Sequence, residues 1–218
     1  MTTAMVTSNL RTRLLQGVAC HACDRAWAQG GERVHQDPFH RLYAVTAGEG
    51  MVVHHERMFH LRPGYLFVIP AHTPGRYRCA ESMSLTWLHF TVAVFAGLDP
   101  FVTLNWPFVV RARAGDHDRL RRVITLQSAD RLAPLLEAEG LLRLLLARFA
   151  AAADAPDPDR LAPLSRLQPA LDYIENHLCK RFTLAQLAAA VHLHPTYFSN
   201  LFSRHLGLPP MTYANRRR

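Results

Sequence analysis

In the first half of the chain, hydrophobic residues come in short runs separated by glycine, proline and charged residues. The candidate strands are residues 39–46, 51–54, 59–61, 65–69, 76–79 and 84–91. Several short strands at this spacing are typical of a β-sandwich or β-barrel, here predicted for residues 17–114. The irregular segment 103–113 is expected to return to this barrel. Residues 1–16 are more polar and are predicted to form a loose N-terminal arm.

From Asp116 onward the apolar positions follow a helical period. Asp116 is placed to cap a helix that runs to Gln127. Pro134 opens a second helix whose apolar stripe holds Leu135, Ala138, Leu142, Leu145 and Phe149, widened by Leu141, Leu144 and Leu146. A stripe this broad needs cover from the barrel or from another protomer. Residues 115–153 are therefore a helical packing or dimerisation element, and the proline-containing and aspartate-containing residues 154–166 a linker.

The C-terminal residues 167–218 carry the sharpest local signals. Apolar residues at helical spacing predict a helix over residues 167–177. Thr183 and Gln186 stand three residues apart and form a capping box for a second, short helix. Pro195 suits the first position of a third helix, and Gly207 suits its C-terminal cap. A short helix, a tight turn and another short helix predict a helix-turn-helix.

The third helix is expected to turn its apolar residues inward: Tyr197, Phe198, Leu201 and Phe202. Thr196, Ser199 and Asn200 then remain exposed. The net charge of +8 favours a polyanionic partner, although it carries no sequence preference.

These motifs resemble the first helix-turn-helix of AraC-type transcription regulators. The matching positions are Tyr173-Ile174, Leu184-Ala185-Gln186-Leu187-Ala188, Pro195, Tyr197-Phe198-Ser199, Leu201-Phe202, Gly207, Pro210, Tyr213 and Arg218. His192 stands where many members have glycine, and His194 where serine is usual. Histidine tolerates the left-handed backbone of such a turn better than a β-branched residue does. The family carries two such units, and the second is expected to be absent here.

The resemblance implies double-stranded DNA as a partner. In the family, the positions of Thr196, Ser199 and Asn200 read bases, and asparagine pairs with adenine through two hydrogen bonds. Lys180, Arg181 and Arg204 are candidates for phosphate contacts, which position the protein without specifying sequence. The alternative for Thr196 and Ser199 is a merely solvated helix face.

A second resemblance covers roughly residues 20–94. Gly48-Glu49-Gly50, Leu61-x-Pro63-Gly64, Pro70 and Trp87-Leu88-His89-Phe90 resemble the cupin-type sensor barrel that precedes the DNA-binding part of AraC-type regulators. Metal-binding cupins hold a cation with histidines and a glutamate. Here Arg41 occupies the glutamate position and Gly75 the last histidine position, so no metal, cofactor or catalytic residue is predicted.

Two other routes to a metal site remain open. Cys20 and Cys23 have metal-ligand spacing without a second pair, which favours ordinary thiols. His54, His55 and His60 are close in sequence and could form a site by another route. Such histidines are more often surface residues or hydrogen-bonded core residues. A cupin-type metal enzyme therefore stays the least favoured reading.

The barrel is expected to bind an organic effector. Tyr77 and Trp87 match positions where the arabinose-responsive members hold their sugar, and an aromatic face against sugar C–H groups is sound recognition chemistry. Strand alternation places Tyr43 on the same face as Arg41, whose guanidinium suits a hydroxyl pair or a carboxylate. The alternatives are that Tyr77 and Trp87 are plain core and that Arg41 only pairs with Asp37.

The sequence thus predicts an α+β protein: a cupin-like barrel, a helical dimerisation element and a truncated helix-turn-helix unit. Its predicted function is that of a homodimeric, ligand-responsive DNA-binding regulator that senses a sugar or similar small molecule. A regulator that dimerises with full-length relatives and binds DNA poorly is the alternative. With no run of eighteen apolar residues and no signal-peptide core, the protein is expected in the cytoplasm rather than in a membrane.

Overall fold

The computed structural model of the chain describes residues 10–27, 34–94, 98–154 and 158–217. The chain divides into two compact units. Residues 12–92 and 105–154 belong to the first, called the sheet unit. The second, called the helical unit, includes residues 93–104 and the described residues after position 154. Strands dominate the first part and helices the second, so the predicted α+β class is confirmed.

Within the described residues, the strands form two antiparallel sheets. The strands are β1 (Arg11–Asp24), β2 (His40–Gly48), β3 (Gly50–His54), β4 (Arg57–Leu61), β5 (Tyr65–Ile69), β6 (Gly75–Arg78), β7 (Ser82–Ala93) and β8 (Val109–Arg111). The five-stranded sheet has the order β1-β7-β2-β5-β8, and the three-stranded sheet has the order β4-β3-β6. Because β8 pairs with β5, the segment predicted to return to the barrel does so.

Both sheets contribute side chains to one buried cluster. Its members are Cys23, Tyr43, Val45, Val52, Leu61, Phe67, Ile69, Tyr77, Cys79, Met83 and Leu85. Removing these apolar surfaces from water supplies most of the stabilisation of such a double sheet. Two tyrosines and a buried arginine, Arg41, interrupt the otherwise apolar interior.

The helices are α1 (Pro100–Thr103), α2 (Asp116–Leu126), α3 (Leu132–Ala151), α4 (Pro158–Asn176), α5 (Leu184–Ala190), α6 (Pro195–Leu206) and α7 (Pro210–Arg217). In the sheet unit, α2 packs against α3, and Leu120, Leu142 and Leu145 are fully buried. The Gln127 amide, directly after α2, donates to the backbone oxygen of Gly17 on β1 at 2.9 Å. Most of the broad apolar stripe of α3 therefore finds its cover inside the chain.

The prediction of a loose arm over residues 1–16 is wrong for Arg11 onward, because β1 begins there; residues 1–9 lie outside the described part. The sequence Arg11-Thr12-Arg13 looks like a solvated tail. It belongs instead to an edge strand of the five-stranded sheet. Edge strands need backbone pairing on one side only, and exposed charges such as Arg11 and Arg13 protect them from aggregation.

The predicted linker is also shorter than expected. Helix α4 begins at Pro158 rather than at Leu167, so residues 158–166 are helical, and residues 155–157 lie outside the described part. A proline in the first turn of a helix loses no hydrogen bond, whereas Pro163 and Pro169 each remove one backbone donor. The buried face of this helix, which includes Leu164 and Leu167, offsets that loss.

Asp116 does not cap α2. Gly115, with φ of +83°, is the N-cap residue, and Asp116 is the first residue of the helix. Its carboxylate instead accepts a hydrogen bond from the backbone N–H of Arg113 at 2.8 Å. Among the described residues no helix combines the length and the hydropathy needed to cross a membrane.

Candidate functional site

The first local feature of the helical unit is the start of α5. Gln186 donates its backbone N–H to the Thr183 hydroxyl at 3.3 Å, and its side-chain oxygen accepts from the Thr183 backbone N–H at 2.8 Å. The predicted capping box is confirmed. It fixes where this seven-residue helix begins, which matters because so short a helix has little stability of its own.

The turn between α5 and α6 is built by two histidines. His192 has φ of +54°, the left-handed conformation expected at the position where many family members have glycine. The next backbone N–H, of Leu193, donates to Ala188 at 3.0 Å. His194 is the N-cap residue of α6, and its Nδ1 accepts from the Thr196 backbone N–H at 3.4 Å. Both departures from the family pattern are thus accommodated.

Helix α6 begins at Pro195 and ends at Leu206, and Gly207, whose φ is +73°, is its C-cap residue. Phe198 and Phe202 are fully buried and pack edge to face at 5.5 Å between ring centroids. The expectation that Tyr197 also faces inward is wrong, because its side chain is 53% exposed. One residue is about 100° of helical rotation, which turns Tyr197 off the Phe198–Phe202 ridge.

The opposite side of α6 is a polar surface. Thr196, Asn200 and Arg204 are exposed and follow one another at four-residue intervals, so they form one row on the helix. Ser199 is half-buried at the edge of this row. Lys180 and Arg181 are exposed in the segment that precedes α5. The three predicted base-reading residues and the three predicted phosphate-contacting residues therefore all have at least partial access to solvent.

In the sheet unit, the four predicted effector residues face the same interior. Arg41 and Tyr43 on β2 lie directly opposite His89 and Trp87 on β7. Residues opposite one another in an antiparallel pair point to the same side, as do alternate residues along a strand. Tyr77, from the other sheet, stands 6.4 Å from Tyr43 between ring centroids.

Arg41 is the charged residue among these four predicted effector residues, and its side chain is 7% exposed. One guanidinium nitrogen donates to the Tyr77 hydroxyl at 2.8 Å, and another forms an ion pair with Asp37. The guanidinium also lies over the rings of Phe39 and Tyr77, at 5.3 and 5.5 Å from their centroids. The pairing with Asp37 considered from the sequence is therefore present, and it coexists with the contact to Tyr77.

The two tyrosines of the interior are held as neutral hydroxyls. Burial and the neighbouring Tyr77 raise the pKa of Tyr43 well above its usual value of 10. Burial also raises the pKa of Tyr77, although Arg41 opposes this. Trp27 packs edge-on against both rings, with centroid distances of 6.4 Å to Tyr43 and 5.5 Å to Tyr77. Both hydroxyls are therefore protonated at physiological pH and can donate hydrogen bonds.

Trp87 brings two further residues to the site that the sequence reasoning did not assign to it. Its indole N–H donates to His21 Nδ1 on β1 at 3.0 Å, and its ring lies 4.4 Å from the His89 ring. Burial, and then Arg41, lower the pKa of His89 to about 4, so this imidazole is neutral. The motif Trp87-Leu88-His89 could have suggested His89, since it is two residues from Trp87 on one strand.

The geometry also bears on the two metal sites considered from the sequence, the cupin-type site and a site formed by nearby histidines. A Cβ atom added to Gly75 would lie 3.2 Å from the Tyr77 hydroxyl, a tight contact that the tyrosine would have to yield to by a few tenths of an ångström. His54 is buried beside Phe59, whereas His60 is exposed and pairs with Met51, on the opposite face of the sheet from His54. Within the part of the chain that the structure describes, no three His, Cys, Asp or Glu residues could hold a metal ion together.

In the CxxC segment, Cys23 is a buried thiol. Burial, and then Cys79, raise the pKa of the Cys23 thiol to about 11. With no cation beside it, this thiol therefore keeps its proton at neutral pH. Cys79 is buried too, and its thiol lies 3.8 Å from the Cys23 backbone oxygen.

A separate pocket of about 300 Å³ opens on the other side of the five-stranded sheet. Its lining includes Ala44, Leu66, Ala112 and His117, and Ala44 alternates with Tyr43 along β2. None of the four predicted effector residues lines it. The pocket is mainly apolar. The pKa of His117 is lowered, mainly because the imidazole is partly buried and also because Arg121 is nearby.

Comparison with known proteins finds two family matches. The AraC-like ligand binding domain matches residues 17–171, and the helix-turn-helix of bacterial regulatory proteins of the AraC family matches residues 174–213. The arabinose operon regulatory protein of Escherichia coli (strain K12) is 29% identical over 194 residues, which cover 81% of this chain and 63% of that protein. Its counterpart from Salmonella typhimurium is 28% identical over 193 residues, covering 81% of this chain and 66% of that protein. The chain thus spans about two thirds of the length of these relatives.

Among solved structures, the AraC-like transcriptional activator CuxR is similar over 99% of this chain and 87% of that one, with 14% identity and a TM-score of 0.38. The ligand-binding-domain match alone spans more than half of the chain, and the helix-turn-helix match follows it in the family's order. The chain belongs to the AraC family.

Proposed function

We propose that this protein is a non-enzymatic, ligand-responsive transcription regulator. The helical unit binds double-stranded DNA, and the interior of the sheet unit binds a small-molecule effector. One observation carries the proposal. Helix α6 has a fixed start and a fixed end, buries Phe198 and Phe202 on one side and exposes the polar row of Thr196, Asn200 and Arg204 on the other. With DNA as its partner, its place of action is the cytoplasm.

The DNA contacts follow from the helix geometry. In a helix-turn-helix, the second helix lies in the major groove and its outward residues meet base edges. Asn200 is directly opposite the buried ridge and pairs with adenine through two hydrogen bonds, while Thr196 and Ser199 flank it. Lys180, Arg181 and Arg204 contact phosphates. Tyr197 was predicted to be buried but is exposed, and it belongs to the same contact region.

The effector site uses Arg41, Tyr43, Tyr77 and Trp87, and we propose a sugar as the effector. The support is chemical: neutral tyrosine hydroxyls and a guanidinium provide fixed donors for hydroxyl groups, and the Trp87 ring offers a face for C–H groups. The two relatives named as arabinose operon regulatory proteins are consistent with this class of ligand.

We also propose a homodimer held by an exposed apolar row on α3. Leu132, Leu136 and Leu144 are 71, 59 and 56% exposed and occur at four-residue steps, with Gly140 filling the remaining step. A Cβ atom at Gly140 would meet nothing within 4 Å, so a second helix has room to approach there. Two such rows pack by fitting the ridge of one helix into the groove of the other.

The test of DNA recognition is selection of genomic fragments by the full chain, followed by titrations at several salt concentrations. Selected fragments should bind more tightly than random duplex. Asn200→Ala should lose most of that difference in affinity. The expected loss is about 1–3 kcal/mol of discrimination at the base that Asn200 reads. Arg204→Ala should weaken binding to all sequences and reduce the salt slope by about one unit.

Asn176→Ala is the matched control, because Asn176 is an exposed amide at the end of α4. It should leave both affinities unchanged. Equal losses on selected and random DNA for Asn200→Ala would remove Asn200 from base reading. Failure of the folded protein to enrich any fragment would overturn the proposed DNA-binding function.

A further inference from the structure

The buried guanidinium of Arg41 is already matched by a carboxylate. A charge removed from water is costly unless it is paired and hydrogen-bonded. Asp37 pairs with one nitrogen of Arg41, and the Tyr77 hydroxyl accepts from another. The Asp37 side chain is 33% exposed, so this carboxylate stands between the buried arginine and solvent.

Three titratable neighbours of Arg41 add no charge to the interior. His89, directly opposite, is neutral because burial and Arg41 lower its pKa to about 4. Tyr43 and Tyr77 keep their protons because burial raises their pKa values. Among the described residues, Asp37 is the carboxylate paired with Arg41, and its charge offsets that of the guanidinium.

We propose that Asp37 is a specificity-determining residue, which makes the interior site select uncharged sugars against the corresponding sugar acids. This rests on the proposed sugar-binding function of the same site. A ligand carboxylate that approached Arg41 would meet the like charge of Asp37 or would have to displace it. A ligand hydroxyl accepts from the guanidinium or donates to Asp37 without either cost.

The test compares matched pairs that keep the sugar ring and differ by one oxidised carbon: D-galactose with D-galacturonate, D-glucose with D-glucuronate, and D-mannose with D-mannuronate. Affinities of the full chain are measured by titration calorimetry. The wild type should prefer the uncharged member. Asp37→Asn keeps the size of the side chain and removes its charge, so the preference should fall by roughly ten- to hundredfold, as expected for one unscreened charge interaction.

Two further variants separate charge from folding. Asp37→Glu retains the charge and should keep most of the preference for the uncharged sugar. Asp130→Asn removes one negative charge from the exposed segment between α2 and α3 and should change no affinity ratio. Thermal melts establish whether each variant is folded. If Asp37→Asn is not folded, the decision rests on the ratio of affinities for the two members of each pair, measured for the wild type and for Asp37→Glu.

Each outcome bears on one of the two claims. Wild-type binding of a sugar acid as tight as that of its uncharged partner would overturn the role of Asp37, and so would an unchanged ratio in folded Asp37→Asn. If neither the wild type nor Asp37→Asn binds any member of the three pairs, the sugar proposal itself fails, and the specificity assignment fails with it. Uncharged preference that is lost only in Asp37→Asn supports both.

Discussion

His54 shows how burial can fix the protonation of one residue. It is 3% exposed, stacks on Phe59 at 4.4 Å and meets Phe108 at 4.9 Å between ring centroids. Burial, and then the neighbouring His55, lower its pKa from 6.5 to about 4. Its Nδ1 has no hydrogen-bond partner among the described residues, so protonation would place an unpaired charge in an aromatic environment.

This shift makes the stability of the fold depend on pH. In the unfolded chain His54 titrates near 6.5, so on acidification the unfolded state binds the proton first. The stabilisation is complete above pH 6.5 and is lost as the pH falls towards 4, for a total of about 3 kcal/mol. His54→Leu should reduce the loss of unfolding free energy between pH 7.5 and pH 4.5 by about 2 kcal/mol, measured by urea denaturation.

His60→Gln is the control, because His60 is exposed on the opposite face of the same sheet. It should leave the pH profile of the wild type unchanged. A His54→Leu protein that loses as much stability on acidification as the wild type does would show that His54 is not the group responsible.

At the residue scale, the sequence predicted which positions share a face but not what stands opposite them. Alternation along one strand correctly places Arg41 beside Tyr43. The neighbours His89, His21 and Trp27 depend on the register between strands far apart in the chain, and no local pattern encodes that register. The same limit explains the error at Tyr197, where hydrophobic character outweighed its angular position on α6.

At the scale of elements, Asp116 joins three of them. Its side chain is 1% exposed and accepts from Arg119 on α2 and from Arg148 on α3, both at 3.1 Å. Arg148 also donates to the backbone oxygen of Arg111 on β8 at 3.2 Å. The carboxylate that the sequence suggested as a helix cap therefore connects both helices to the edge of the sheet.

Removing this charge should destabilise the sheet unit strongly. Asp116→Asn leaves Arg148, whose side chain is 15% exposed, without its counter-ion, which costs about 3–5 kcal/mol for a buried pair. The exposed pair Arg122–Glu137 is the comparison, with side chains 52 and 46% exposed. Glu137→Gln should change the free energy of unfolding far less, because solvent screens an exposed pair. Similar losses for the two variants in urea denaturation would contradict the linking role of Asp116.

The turn of the helix-turn-helix stores a smaller strain. His192 holds φ of +54°, a conformation that glycine adopts without steric cost. His192→Gly should therefore stabilise the helical unit by up to about 1 kcal/mol, seen as a higher midpoint of thermal unfolding monitored by helical circular dichroism. Ala190→Gly, two residues earlier within α5, should lower the midpoint instead. A lower midpoint for His192→Gly would mean that the imidazole makes a compensating contact.

Elements with chemical boundary signals were predicted well, and elements without them were not. Thr183, Pro195 and Gly207 fix helix ends through their own backbone and side-chain chemistry, so residue type alone locates α5 and α6. The start of β1 has no such signal, and at α4 the favourable first-turn Pro158 is followed by Pro163 and Pro169, which disfavour a helix. Both starts are decided by sheet pairing and by tertiary packing, which override the polar and proline-containing sequences there.

At the scale of the whole molecule, the apolar residues of α3 form two rows, of which the stripe predicted from the sequence contained mainly the buried one. Ala138, Leu142, Leu145, Leu146 and Phe149 are buried within the chain. Leu132, Leu136 and Leu144 are exposed on another side of the same helix. The internal packing that was the alternative to dimerisation is therefore present, and it leaves a second apolar row for contact between protomers.

The proposed homodimer can be tested through this row alone. Leu136→Lys combined with Leu144→Lys places charges in the proposed interface, so the protein should become monomeric in analytical ultracentrifugation while its thermal midpoint changes little. Met58→Lys is the control, since Met58 is 57% exposed on β4, outside α3. It should leave the oligomeric state of the wild type unchanged.

Loss of the dimer should also alter DNA binding in a defined way. A dimer engages two half-sites together, so binding at the second is favoured by a high effective concentration. The monomeric variant should bind a duplex with two half-sites about as weakly as one with a single half-site, and its salt slope on the longer site should fall to about half. A variant that remains dimeric would exclude this row as the interface. One that is monomeric yet retains the full two-site affinity would show that DNA recognition needs no dimer.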